Sequence, residues 1–397
     1  MRLILVTLTD QLQNTFAILN PDLEYCAVVV DEVEPAQKIL ERVGLPKSLL
    51  HPLYELKECV RDFYYDYVVC VEETWYSNSL EDEVHNYGVP WNKILNFYAL
   101  YTTLNFLLER ALRYFSEHAT EFEMFATGIS YVEKCLDVTK FKRKLFNFGR
   151  GSQDLYYNFQ VAKFVTACAG NRLQYALIGL APYSFHYDLS KTPHSQHRIL
   201  QHFIAFGDVH NFFLSADVYG KVLSEKYLSL KISLEPLDVN NPFEFKNKQS
   251  YTLEPLNVDD PFQFKGRQSS ISPRSRLEAR KTVDRWSERF FPDTRAENVQ
   301  ILDDYLALCE GNNIRPIMFL PPMTEAYIKY FNRQRLDEFY CLVERAIKKH
   351  PSAIFIDGWK LQGLTDADFY DVDHLNLNGA AKFSAVLNDI IEQLDGR

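Results

Sequence analysis

The sequence predicts an α/β protein built on parallel sheet, and three observations predict it. Short apolar runs rich in Val, Ile, Leu and Phe alternate with segments of helical apolar spacing along most of the chain. The runs are nearly continuous, as expected of strands buried on both faces. Apolar residues make up 47% and charged residues 24% of the 397, a globular balance with enough apolar material for more than one core.

The first elements are compact. Runs at 2–8 (RLILVTL), 24–30 (EYCAVVV) and 65–71 (YDYVVCV) read as strands, with PAQKILERV and YELKECVRDF as helices between them. Together they predict a small Rossmann-like α/β unit over residues 1–80. In a nucleotide-binding unit the first strand would enter a Gly-rich turn. Here it enters TLTDQLQN, which has no Gly. Asp31 follows the second strand, where a ribose-binding acid would stand, but without the glycines it reads as a turn carboxylate. Neither a cofactor nor a metal is expected. Residues 90–117 carry a long helical pattern with Pro90 near its start, so 81–118 reads as a helical linker.

A second α/β series fills 119–397. Strands are expected at 122–128 (FEMFATG), 144–149 (KLFNFG), 173–180 (LQYALIGL), 314–320 (IRPIMFL) and 352–358 (SAIFIDG), with a helix from 152 to about 168. Five strands with helices between them predict one doubly wound parallel sheet in three layers.

The series is interrupted by an insertion at about 205–290, which holds an internal repeat. LEPLDVNNPFEFKNKQS (234–250) is echoed by LEPLNVDDPFQFKGRQS (253–269). Two copies are too few for a solenoid. The repeat reads as a duplicated surface insertion, or more sharply as a lid or a partner-binding arm. The following SPRSRLEARKTVDRWSERFF mixes basic and acidic residues and reads most simply as a solvated helix face.

Charge and cysteine usage narrow the setting. A net charge of −10 argues against a nucleic-acid partner held through phosphates. The seven cysteines are scattered singly, as suits a reducing compartment. No apolar window reaches membrane-spanning length, and the apolar run at the N-terminus is short for a secretory leader. A cytoplasmic location is expected. His194, His197, His202 and His210 cluster in sequence without an acid pattern to complete a metal site, and read as helix-surface residues.

Chemistry is expected where strands of an open α/β sheet end. Ser130 follows the first strand of the second series in GIS, as a candidate nucleophile or a helix cap. Gly151 and Ser152 follow the second, where a Gly N–H could face an oxyanion and Ser152 could cap the next helix. Tyr183, Ser184 and His186 follow the third in an aromatic loop. Before the last helix stands DVDHLNLNG. His374 could take the proton of a serine, and Asp371, three residues earlier, can reach its other ring nitrogen. Asp373, adjacent to His374, is expected to point elsewhere. Asn376 and Asn378 lead into the helix.

Ser after the first strand, Gly after the second and Asp-x-x-His before the last helix resembles the SGNH/GDSL hydrolase superfamily. FLPPMTEAYIKYF is similar to a Pro-rich segment of its bacterial branch that includes the D-alanyl lipoteichoic-acid transfer protein. The resemblance spans roughly 120–190 and 310–397. It implies Ser130 as nucleophile, His374 as base, Asp371 as its orienting acid, and the backbone of Ser130 and Gly151 as oxyanion donors. The family's third block usually supplies an Asn to the oxyanion. This chain has LAPYSF there, leaving Tyr183 or Ser184 as stand-ins. The implied activity is that of a serine esterase or acyltransferase on an ester, such as an O-acylated glycan or cell-envelope precursor. The rival is a non-catalytic SGNH-like scaffold or binding module in a glycan-assembly complex.

Overall fold

A computed structural model describes residues 2–18, 23–71, 80–90, 93–96, 107–192, 196–219, 221, 269–271, 279–287 and 290–396. The repeat at 234–269, and with it the expected partner arm or lid, falls almost wholly outside the described residues. The chain divides into two compact units, residues 1–107 with 193–236, and 108–192 with 237–397.

The first unit is a five-stranded parallel sheet of β1 (Arg2–Thr7), β2 (Glu24–Val30), β3 (Leu50–Pro52), β4 (Tyr67–Val71) and β5 (Ile94–Asn96), in the order β3-β2-β1-β4-β5. Helices α1 (Thr9–Ile18), α2 (Val33–Arg42), α3 (Leu56–Asp62) and α4 (Leu80–Asn86) connect the strands. Val6, Val29, Val68 and Cys70 are among the fully buried side chains of its core. The strand order is that of a nucleotide-binding fold, but the phosphate position is filled from within. Asp31 Oδ1 accepts from Thr9 N at 2.8 Å, Thr9 Oγ1 at 2.7 Å and Glu32 N at 3.0 Å, closing the turn into α1.

One expectation fails here. Residues 81–118 are not a continuous helical linker, because Ile94–Asn96 pairs with Val68–Cys70 as an edge strand. The first α/β unit therefore runs past residue 80. Burying Ile94 and Leu95 against the sheet outweighs their helical pattern. The helical pattern resumes in α5 (Leu107–His118).

The second unit holds β6 (Met124–Thr127), β7 (Leu145–Asn147), β8 (Tyr175–Gly179), β9 (Arg315–Leu320) and β10 (Ile354–Asp357), all parallel, in the order β10-β9-β8-β6-β7. Counted within the unit this is 2-1-3-4-5, with the direction of winding reversing between β6 and β8. Helices cover both faces. Met124 and Ala126 join the core formed with α6 (Ser130–Cys135) and α13 (Leu377–Asp395). Thr127, pointing the other way, bonds Tyr305 OH at 2.9 Å on α10 (Arg295–Gly311), which packs on α7 (Leu155–Ala169). The unit's remaining helices are α9 (Ala279–Ser287), α11 (Glu325–Tyr330) and α12 (Arg333–Lys349), while α8 (Gln196–Phe206) falls in the first unit. Among the described residues no helix is long and apolar enough to cross a membrane. All seven cysteines are free thiols.

Candidate active site

The carboxyl ends of β6 and β8 flank the reversal point, and Ser130 stands at the first of them. Gly128 makes its position possible. Its φ is +154°, and a Cβ there would sit 2.2 Å from Val132 Cγ2, so only glycine lets α6 turn this sharply off the strand. Ser130 is the first residue of α6 and is half-buried.

The 371–374 turn is tied down on several sides. Phe369 and Leu375 form an antiparallel bridge at its neck. Asp371 Oδ1 accepts from the backbone N–H of Asp373 at 3.1 Å and of His374 at 2.8 Å, curling the turn on itself. Thr324, in the FLPPMTEAY segment after β9, donates its hydroxyl to Val372 O at 2.7 Å while capping α11. Asn376 does the ordinary work of starting α13: its Oδ1 accepts from Asn378 N and Gly379 N.

These constraints bring together residues far apart in sequence. Ser130 Oγ lies 3.0 Å from His374 Nε2. His374 Nδ1 is 3.1 Å from both carboxylate oxygens of Asp371. The ring stacks on Tyr370, with centroids 5.5 Å apart and planes 15° from parallel.

Asp373 departs from expectation. It turns inward, is 4% exposed, and its Oδ1 is 3.2 Å from the same His374 Nδ1. Its Oδ2 accepts from Tyr131 OH and from Trp286 Nε1, each at 3.1 Å. The reason is local: the curl imposed by Asp371 folds the next carboxylate back under the imidazole. Burial tends to keep His374 neutral, but the charge of Asp373 and the contacts with Asp371 and Asp373 outweigh it and push the imidazole up to about 10. Burial raises the Asp371 carboxyl above its usual range despite its bond to His374. Asp373 is held below that range, since the charge and contact of His374 overcome its burial.

The three donor groups lie within 4.8 Å of one another, a spacing at which a cation could be held. Both imidazole nitrogens are already engaged, one by Asp371 and one by Ser130.

The expected oxyanion side is built differently. Gly151 N donates to Glu133 Oε2 at 3.1 Å, one turn along α6 from the serine, and so is drawn away from the expected donor role. Ser152 does not cap the next helix. It sits at φ +67°, and α7 begins at Leu155 under Asp154, whose Oδ1 accepts from Tyr157 N at 3.0 Å. Ser184 Oγ accepts from Ala181 N at 2.8 Å and closes its own turn. Tyr183 donates to Tyr131 OH at 3.1 Å and stacks on Trp286 at 5.1 Å, behind the imidazole. His186, at 5% exposed, stacks on Phe290 instead of reaching this site.

Trp286 and Tyr131 are site residues that the sequence reading missed; Trp286 left the clearer signal. It lies on α9, in the stretch read as a solvated face. Ala279 and Val283 of that helix are buried. The spacing Ala279, Val283, Trp286 is an i, i+4, i+7 stripe, and that signal was available among the charges.

No protein-family model matches the chain, and no curated protein is similar enough to count as a relative.

Proposed function

We propose that the chain is a serine esterase or acyltransferase of SGNH type, acting through an acyl-enzyme on Ser130. The observation that carries the reading is the 3.0 Å contact between Ser130 Oγ and His374 Nε2, with Nδ1 held by Asp371. In this reading Oγ attacks the ester carbonyl carbon as its proton passes to Nε2. The imidazolium then gives that proton to the departing alkoxide. Water or an acceptor hydroxyl, deprotonated by the same nitrogen, resolves the acyl-enzyme and regenerates Ser130.

Charge developing on the carbonyl oxygen would meet the N–H of Ser130, which belongs to the helix turn whose donors have no intrahelical acceptor. An O-acylated glycan or cell-envelope precursor is the substrate class that the family likeness suggests, and a cytoplasmic precursor would suit the expected location. Residues 108–192 with 237–397 would form the hydrolase-like domain.

A second reading, a non-catalytic SGNH-like scaffold, is favoured by one observation. Gly151 N is bonded to Glu133 Oε2, so it is not poised as a second oxyanion donor. Loss of one such donor typically lowers rate by about 100- to 1000-fold. Hydrolysis of short-chain p-nitrophenyl esters separates the two readings. Turnover that vanishes in Ser130→Ala supports the enzyme, and turnover equal in wild type and variant supports the scaffold.

A further inference from the structure

The mechanism above gives Asp373 no task, yet its carboxylate is buried, charged and fully engaged. Taking a carboxylate out of water is costly unless it is paired and hydrogen-bonded. Here one oxygen faces the base at 3.2 Å and the other takes two donors. One of those donors, Tyr131, is the residue next to Ser130. A closed ring of interactions results: Ser130 Oγ to His374 Nε2, His374 Nδ1 to Asp373, Asp373 to Tyr131, and Tyr131 back to Ser130 through one peptide bond. Among the described residues Asp371 makes no such link to α6: its contacts are with the imidazole, with the backbone of its own turn and with the carboxyl of Asp373.

We infer that Asp373 is a positioning residue, a second acidic partner of His374 that ties the base to the helix turn bearing Ser130 and sets the pH at which the base is free to act. The inference rests on the proposed function for its catalytic consequence, though not for its geometry. Trp286 fixes Asp373 from the insertion side, so a helix interrupting the sheet sequence contributes to the site.

The titratable groups around the pair come from four elements. Asp371 and Tyr370 belong to the turn, Tyr131 to α6, Tyr183 to the loop after β8 and Tyr327 to α11. Burial holds the hydroxyls of Tyr131, Tyr183 and Tyr327 well above the usual tyrosine range, so they stay protonated. The two aspartates are then the carboxylates that titrate against the imidazole.

The test is a nitrogen-edited NMR titration of the His374 ring in wild type, Asp371→Asn and Asp373→Asn, beside the pH profile of ester hydrolysis. Asp373→Asn should lower the imidazole midpoint by about one unit or more, a tenfold or larger loss of proton affinity. The acid limb of kcat/KM should move with it, and kcat should fall more than KM changes. An unchanged midpoint in Asp373→Asn overturns the inference, whatever the activity. A shifted midpoint in a protein whose wild type hydrolyses no ester leaves Asp373 as partner of His374 and removes the proposed function instead. Should Asp373→Asn not fold, Trp286→Phe removes one of its donors. Faster exchange of the His374 Nδ1 proton with water then supports the inference, and an unchanged rate contradicts it.

Discussion

Ser130 Oγ and His374 Nε2 lie 3.0 Å apart although 244 positions separate them in the chain. Neither residue is unusual alone. One opens a short helix after the first strand of the second sheet, and the other sits in the turn before the last helix. Their meeting is a product of helix packing: α13, which follows the turn of His374, shares one core with α6, which begins at Ser130.

Ser130→Ala should abolish turnover, with kcat lowered on the order of 10⁴-fold or more. Ser130 is half-buried and its hydroxyl bonds His374, so the thermal midpoint should barely move. Steady-state kinetics and calorimetry on the same sample check both halves.

Asp371→Asn should keep the turn, because an amide oxygen can still accept the N–H groups of Asp373 and His374. One of the two carboxylate charges that favour a protonated Nδ1 is lost, and kcat should fall by roughly 10³- to 10⁴-fold. A thermal midpoint close to wild type, with this loss of rate, is the expected pair of measurements.

The acid limb of the rate profile should lie at high pH. With His374 pushed up to about 10 against the pull of its burial, the neutral base is scarce at neutral pH. The kcat/KM should climb about tenfold per pH unit until the imidazole deprotonates. Stability runs the other way. The folded value lies above the unfolded one of about 6.5, so the imidazolium stabilises fully below that pH and its contribution is lost as pH rises to about 10. Urea midpoints across that range should decline, and His374→Gln should flatten the decline.

Much of this was legible in the sequence. Buried apolar runs located both sheets, and the pairing of GIS with DVDH picked out Ser130, His374 and Asp371, which the structure brings together. What escaped depended on tertiary context. Ile94–Asn96 carries a helical pattern and becomes a strand because β4 offers an open edge. Asp373 looked outward by proximity alone, and the backbone curl around Asp371 turned it in. Gly151 looked like an oxyanion donor until Glu133 took its N–H. Trp286 was hidden because the charges around it outweighed a three-residue apolar stripe.

Thr324→Val should loosen the turn that carries His374 without emptying the core. The change removes a buried hydroxyl donor to Val372 O and the cap of α11, at a cost of roughly 1–3 kcal/mol. Because that carbonyl anchors the loop carrying His374, kcat should drop while the protein stays folded, and a chemical-denaturation midpoint measured beside kcat tests this.

Gly128→Ala should be costlier. A methyl group would have to occupy a left-handed backbone position 2.2 Å from Val132 Cγ2, and a loss of roughly 2–4 kcal/mol is expected. Equilibrium urea unfolding reads it directly.

The most direct test of the central claim is reaction of the full chain with a serine-directed fluorophosphonate, with the modified residue located by peptide mass spectrometry. The account predicts a single covalent adduct on Ser130, formed faster as pH rises and strongly slowed in His374→Gln. A chain that stays unlabelled at every pH, or an adduct at another residue with Ser130 untouched, would contradict it.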